Sequence, residues 1–186
     1  LISLAKIKPN ETVLIMAAGS GVGTAAIQIA KLAGARVIAA AGSDEKLDKC
    51  KELGADLLVN YYRNQNFDEE IKYLTDGNGV DAVIEQIGSN VLPKALNCLR
   101  KGGRLVTLGT TAGNKIDIDV QHFYRNNLTM IGTSGTTHRE VKAAFDLVKE
   151  GKLKPIIDRT FPLKDASLAH KYMEERKNFG KIILKL

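Results

Sequence analysis

The chain has no tryptophan, only two cysteines, four prolines and three histidines in 186 residues, and each scarcity removes a class of explanation. Cys50 and Cys98 stand far apart, with no C-x-x-C pattern and no histidine cluster beside them, which argues against a disulfide framework or a zinc site. Each cysteine falls on an apolar helical stripe, Cys50 with Leu47 and Leu53, Cys98 with Leu92, Ala95 and Leu99. A buried free thiol there behaves as a small hydrophobe. His122, His138 and His170 show no ligand spacing, so neither a metal site nor a catalytic residue is assigned within the chain. No apolar run reaches the ~20 residues of a membrane helix, and no signal-peptide pattern opens the sequence; a cytoplasmic location is expected.

Charge is present but lopsided. Of the formal net charge of +6, five units lie between Arg139 and Leu186, where twelve Lys and Arg face seven Asp and Glu. These charges alternate in sign along helical stretches and carry no interleaved aromatic motif, so a solvated face is favoured over nucleic acid. A smaller positive site for a nucleotide phosphate stays open. The length suits one domain with a sizeable core and is short for two. The chain opens on Leu1, and is expected to be a piece of something longer or a processed product.

What is abundant is glycine and small residues, and they concentrate in Thr12 to Ala33. Val13, Leu14 and Ile15 form a short apolar run, as in a strand buried on both faces of a parallel sheet. Small residues follow from Ala17 to Gly23, and then Val22, Ala25, Ala26, Ile29 and Ala33 recur at helical spacing, with Gln28 and Lys31 on the other side. Strand, glycine-rich turn and helix make a phosphate site, because free backbone N–H groups and the positive helix end face an anion that a side-chain-poor turn lets approach. In the register that starts directly after the strand, Ala18, Ser20 and Gly23 take the three glycine places of G-x-G-x-x-G, with Gly19, Gly21 and Val22 between them. A literal G-x-G-x-x-A at Gly21, Gly23 and Ala26 would consume the first helical turn.

The same alternation continues. Leu1 to Lys8 reads as the end of a helix. Strands are predicted at Arg36–Ala41, Leu57–Asn60, Val80–Ile84, Arg104–Leu108 and Leu128–Ile131, with helices after Ser43, after Asn66 or Asp68, from Asn90 to Leu99 and from Val120 to Asn126. This implies right-handed crossovers and an α/β, doubly wound, mainly parallel six-stranded sheet. Ligands of such sheets bind beyond the carboxyl ends of the strands, at the switch point. The strand ends carry small residues: Ala41-Gly42-Ser43, Gly88-Ser89, Gly109-Thr110 and Thr133-Ser134. Further on, Glu140–Glu150 and Leu163–Arg176 read as helices, Ile156–Phe161 as extended and Gly180–Leu186 as a last strand. With the sheet complete, that last strand is expected to find its partner outside the chain.

In sequence order, the pieces MAAGSGVGTAAIQIAKLAGARVIAAAGSDEKL, KELGADLLVNY, GNGVDAVIEQIGS, LRKGGRLVTLGTTAG, EGKLKPIIDRTFPLKDA and FGKIILKL resemble the cofactor-binding domain of the medium-chain dehydrogenase/reductase superfamily. The resemblance is nearest to its quinone oxidoreductase-like branch, which includes zinc-binding dehydrogenases. It implies one dinucleotide-binding domain over 1–186, with 1–10 and 178–186 connecting to an absent N-terminal catalytic domain. It implies hydride transfer between NADPH and a quinone, enone or other carbonyl, zinc if present only in the absent domain, and an isolated segment that turns nothing over. A zinc-dependent alcohol dehydrogenase is the enzyme alternative. A non-catalytic NADPH sensor, or a module binding RNA or protein, is the alternative of another class.

At the end of the second strand an acidic side chain would hold the ribose 2'-hydroxyl and repel a 2'-phosphate. Ala41 stands there instead, followed by Gly42, Ser43 and Lys46, which favours NADP(H) over NAD(H). The resemblance adds Tyr61 and Arg176 at that phosphate and places the nicotinamide half near Leu108, Gly109, Thr110, Gly132, Thr133 and Ser134. It also implies a homodimer through the sheet edge at Leu128–Ile131.

Overall fold

The computed structural model describes residues 1–186. Its main sheet holds β1 (Thr12–Ile15), β2 (Arg36–Ala41), β3 (Leu57–Asn60), β4 (Val80–Glu85), β5 (Leu99–Thr107) and β6 (Thr129–Gly132), in the order β3-β2-β1-β4-β5-β6. Every pairing is parallel. The order reverses between β1 and β4, so the cleft beyond their carboxyl ends is the switch point of the fold.

The period-2 alternation of the strands feeds two cores. Leu14, Met16, Ile38 and Ala40 face one side, with Phe67 and Ile71 of α3 (Phe67–Leu74) and Leu92, Ala95 and Leu96 of α4 (Val91–Asn97). Val13, Ile15, Val37 and Ala39 face the other, with Ala26, Ile27 and Ala30 of α1 (Gly21–Leu32) and Cys50 of α2 (Asp44–Glu52). Both cysteines are buried and free, and desolvation pushes the Cys50 thiol up to about 12.

Four expectations are corrected. Leu1 to Lys8 is not helical: Lys6 has φ +49°, and the carbonyls of Ala5 and Lys6 accept from the Arg104 guanidinium, which also pairs with Glu11. The left-handed turn at Lys6 interrupts any helical run there. The inner face of α1 is Gly23, Thr24, Ala26, Ile27 and Ala30, not the stripe through Val22 and Ile29; Val22 is exposed. β5 begins at Leu99, before the glycine pair expected to precede it, and its pairing with β4 slips between Val80 and Ala82. A bulge absorbs what looked like a turn.

The fourth correction concerns the end of the chain. β8 (Lys181–Lys185) pairs in parallel with β7 (Ile157–Pro162) as a separate two-stranded sheet, so its partner lies within the chain. α7 (Ala166–Glu174) packs on this pair, while α5 (Val120–Arg125) sets Phe123 against the main-sheet core and α6 (His138–Lys149) precedes β7. α6 buries no residue, although its Thr137–Glu140 capping box is complete. Phe145 on it is 69% exposed. No helix is long and apolar enough to cross a membrane.

Candidate dinucleotide site

The glycine-rich turn leaves β1 through Ala17, held at φ +47°. Ala18 is buried and donates its N–H to Ala40 O at 2.9 Å, which ties the turn to β2. Ser20 caps α1, its Oγ accepting from Gly23 N at 2.9 Å. A Cβ on Gly23 would lie 2.5 Å from Ala18 O and 2.6 Å from Ala17 O, so only glycine lets the helix start this close to the strand. That contact supports the register in which Ala18, Ser20 and Gly23 occupy the three motif places. The N–H groups of Gly19 and Val22 have no acceptor within the chain, whereas Gly21 faces Gly180 O across the parallel Ser20–Gly180 bridge. Two unpartnered donors at the positive end of a twelve-residue helix are what a phosphate group satisfies.

The final segment of the chain crosses this turn. Gly180 N donates to Gly19 O at 2.8 Å, the Phe179 ring lies beside Gly19, and the methylenes of Lys181 lie over Gly21. The sequence did not single out these residues, nor Gln86. Gln86 Nε2 donates to Ser20 Oγ at 2.8 Å and to Met16 O at 3.1 Å, which bridges β1 and β4 across the switch point. A glutamine beside a strand end carries no periodic signal, and only the strand order shows what it spans.

At the end of β2, Gly42, Ser43, Lys46, Tyr61 and Arg176 come together as expected. Ser43 Oγ caps α2 by accepting from Lys46 N at 3.4 Å. Lys46 Nζ donates to Arg176 O at 2.6 Å, and desolvation lowers the affinity of that ammonium for its proton, partly offset by Asp158. Tyr61 packs on the core, and burial pushes its phenol up to about 12. The tyrosine that reaches Arg176 is Tyr62: Arg176 Nη1 donates to Tyr62 Oη. No acidic side chain is among the residues expected here. Asp44, which opens α2, is engaged by Arg63 and Asn60.

Beyond β4, β5 and β6 the walls are mostly backbone. Leu108 N donates to Glu85 O at 3.0 Å, and a Cβ on Gly109 would lie 2.9 Å from Gln86 O. Thr133 N donates to Thr107 O at 3.0 Å, and the Thr110 and Ser134 side chains stand exposed at the same edge. Glu85 is fully buried, its carboxylate accepting from the N–H groups of Ile87 and Gly88. Desolvation raises its pKa, with those bonds opposing. It therefore fixes the loop between β4 and α4. No group of three or more His, Cys, Asp or Glu side chains comes together, so the residues present do not fit a zinc ion.

Residues 21–150 match the family model described as zinc-binding dehydrogenase. The chain belongs to the zinc-binding dehydrogenase family. The 2-haloacrylate reductase of Burkholderia sp. is 34% identical over 96% of this chain and 56% of its own length. A crystal structure of an NAD-dependent alcohol dehydrogenase superposes with TM-score 0.90 at 37% identity, covering all of this chain and 54% of that one. The Escherichia coli quinone oxidoreductase complexed with NADPH superposes with TM-score 0.87 at 29% identity, covering all of this chain and 60% of that one. The chain thus spans little more than half the length of these zinc-binding dehydrogenase relatives.

Proposed function

We propose that the chain is the NADP(H)-binding part of an oxidoreductase that moves hydride between NADPH and a quinone, enone or other carbonyl. The observation that carries this is the pairing of two anion sites on one cleft. Unpartnered amides lie at Gly19 and Val22, and a basic corner without the acidic residue lies at Gly42, Ser43 and Lys46. The similarity to a quinone oxidoreductase that binds NADPH supports it. The dinucleotide, once bound, supplies the hydride. The chain's own residues do the rest. The amides at Gly19–Val22 hold the pyrophosphate, with Ala18, Ser20 and Gly23 shaping the turn. Lys46, Tyr61 and Arg176 meet the 2'-phosphate, and Leu108, Gly109, Thr110, Thr133 and Ser134 line the nicotinamide end.

The acceptor pocket, and zinc if the protein uses it, would lie in a further domain, with 1–10 and 178–186 as the connections. The relatives' greater length supports this arrangement. We further propose a cytoplasmic homodimer joined through β6, whose outer edge is unpaired and whose Met130 is 40% exposed; a monomer by light scattering at micromolar concentration would contradict the dimer. An NAD(H)-using alcohol dehydrogenase is the second reading, favoured by the 37% identical structure. Fluorescence titration with NADPH, NADH and 2',5'-ADP separates the two. The first requires tighter binding of NADPH than NADH and measurable binding of 2',5'-ADP, whereas tighter NADH binding selects the second.

A further inference from the structure

Arg176 closes α7 in a Schellman turn, with Lys177 N donating to Tyr172 O at 3.4 Å. It follows the last residues of α7 at φ +55°, donating its N–H to Met173 O at 2.9 Å. That is the left-handed place after a helix where glycine is favoured because a Cβ is crowded. An arginine there carries a steric cost that glycine would avoid. The residue is also tied at both ends to the 2'-phosphate corner. Its carbonyl accepts from Lys46 Nζ at 2.6 Å, and its guanidinium donates to Tyr62 Oη.

Tyr62 is itself fixed from below. Asn60 Oδ1 accepts from the N–H groups of Tyr62 and Arg63, each at 3.1 Å, while Asn60 Nδ2 donates to Asp44. The Tyr62 ring stands edge-on to Tyr61 with centroids 5.3 Å apart. It also covers Gly42 so closely that a Cβ there would lie 2.6 Å from it. Gly42 has ordinary negative φ, so its need for hydrogen in place of a side chain comes from the tyrosine and not from the backbone. The phenol occupies one of five guanidinium N–H donors, which leaves four for an anion.

We propose that Tyr62 is the positioning residue for 2'-phosphate recognition: its hydroxyl presents the Arg176 guanidinium over the Gly42–Lys46 corner, and the preference for NADPH depends on it. The proposal rests on the reading of this cleft as a dinucleotide site. It assigns to the second member of the Tyr61-Tyr62 pair a role separate from that of the first. The two aromatic rings form a wall, Tyr61 rooted in the core and Tyr62 swung across the mouth, with Arg176 tied to its outer end.

The test is titration of the chain and its variants with NADPH, NADH and 2',5'-ADP, with thermal melts confirming that each variant is folded. Tyr62→Phe keeps the ring and removes the hydroxyl. It should weaken NADPH and 2',5'-ADP about three- to tenfold and leave NADH unchanged. Arg176→Ala should weaken the same two ligands about tenfold or more, and the double variant should be no weaker than Arg176→Ala alone, since both remove one device. Gly42→Ala, which displaces the ring, should reproduce Tyr62→Phe. Unaltered NADPH binding in Tyr62→Phe, equal losses for NADPH and NADH, or losses that multiply in the double variant would each overturn the proposal while leaving the dinucleotide site standing. If the unaltered chain binds none of the three ligands, the site and the proposal fall together.

Discussion

The two phosphate-facing regions of the cleft are built from opposite materials. At the turn from Ala17 to Gly23 the chain offers main-chain N–H groups and excludes side chains, to the point that Gly23 has no room for a methyl group. Next to it, at Gly42 to Lys46, with the Lys46 methylenes against Gly19, it offers side chains drawn from three distant stretches: Lys46, the Tyr61-Tyr62 pair and Arg176. A backbone site cannot tell one pyridine dinucleotide from another, because the pyrophosphate is common to both. A side-chain site can, because only one of them brings a 2'-phosphate. Affinity and choice thus rest on different groups of one adjoining surface, and substitutions should separate them in measurement.

The largest effect is expected from Gly23→Ala. A helix normally gains ~1 kcal/mol from that change, but here the new methyl would sit 2.5 Å from Ala18 O. Forced overpacking of this kind costs roughly 1–3 kcal/mol, and against rigid backbone the upper end applies. Urea melts should show the loss, and calorimetry should show both dinucleotides weakened alike. Next comes Lys46→Ala, which removes a charge-assisted contact of about 1.5–3 kcal/mol. NADPH should weaken by about tenfold or more while NADH barely changes; equal losses by fluorescence titration would erase the contrast between the two regions.

Ser20→Ala deprives Gly23 N of its capping acceptor and Gln86 Nε2 of one of its acceptors and should lower stability by ~1 kcal/mol, the usual cost of a lost helix cap. Both dinucleotides should suffer modestly and equally. The smallest effect belongs to a carboxylate remote from the cleft. Hydrogen bonds from Ser3 first, and then from Thr137, pull Glu140 down from 4.5 to about 2. A depressed acid stabilises the fold above its ordinary value and loses that contribution as pH falls from 4.5 toward 2. Melting temperatures of the chain and of Glu140→Gln should therefore converge over that window, with dinucleotide binding at neutral pH the same in both.

How far the sequence revealed this arrangement follows from how local each signal is. β2 and β3 have the expected bounds because apolar runs closed by turn residues describe buried parallel strands directly. The glycine turn was legible for the same reason, with strand, turn and helix contiguous. The inner face of α1 was not, since a helix reading GVGTAAIQIAKL has small or apolar residues nearly all round and periodicity cannot orient it. Its contact through Gly23 does. Leu1 to Lys8 misled because neither the left-handed turn at Lys6 nor the segment's contact with Arg104, some hundred positions away in sequence, shows in a local pattern. Parallel pairing of β7 with β8 spans two dozen residues, and the single Tyr61 expected at the 2'-phosphate gave no sign of what its neighbour Tyr62 would hold.

Calorimetric titration of the chain with NADPH and with NADH tests the central claim most directly. Binding of both, with NADPH the tighter and its advantage removed by Lys46→Ala, is the predicted result. Absence of heat with either dinucleotide would contradict a pyrophosphate seat on the amides of Gly19 and Val22.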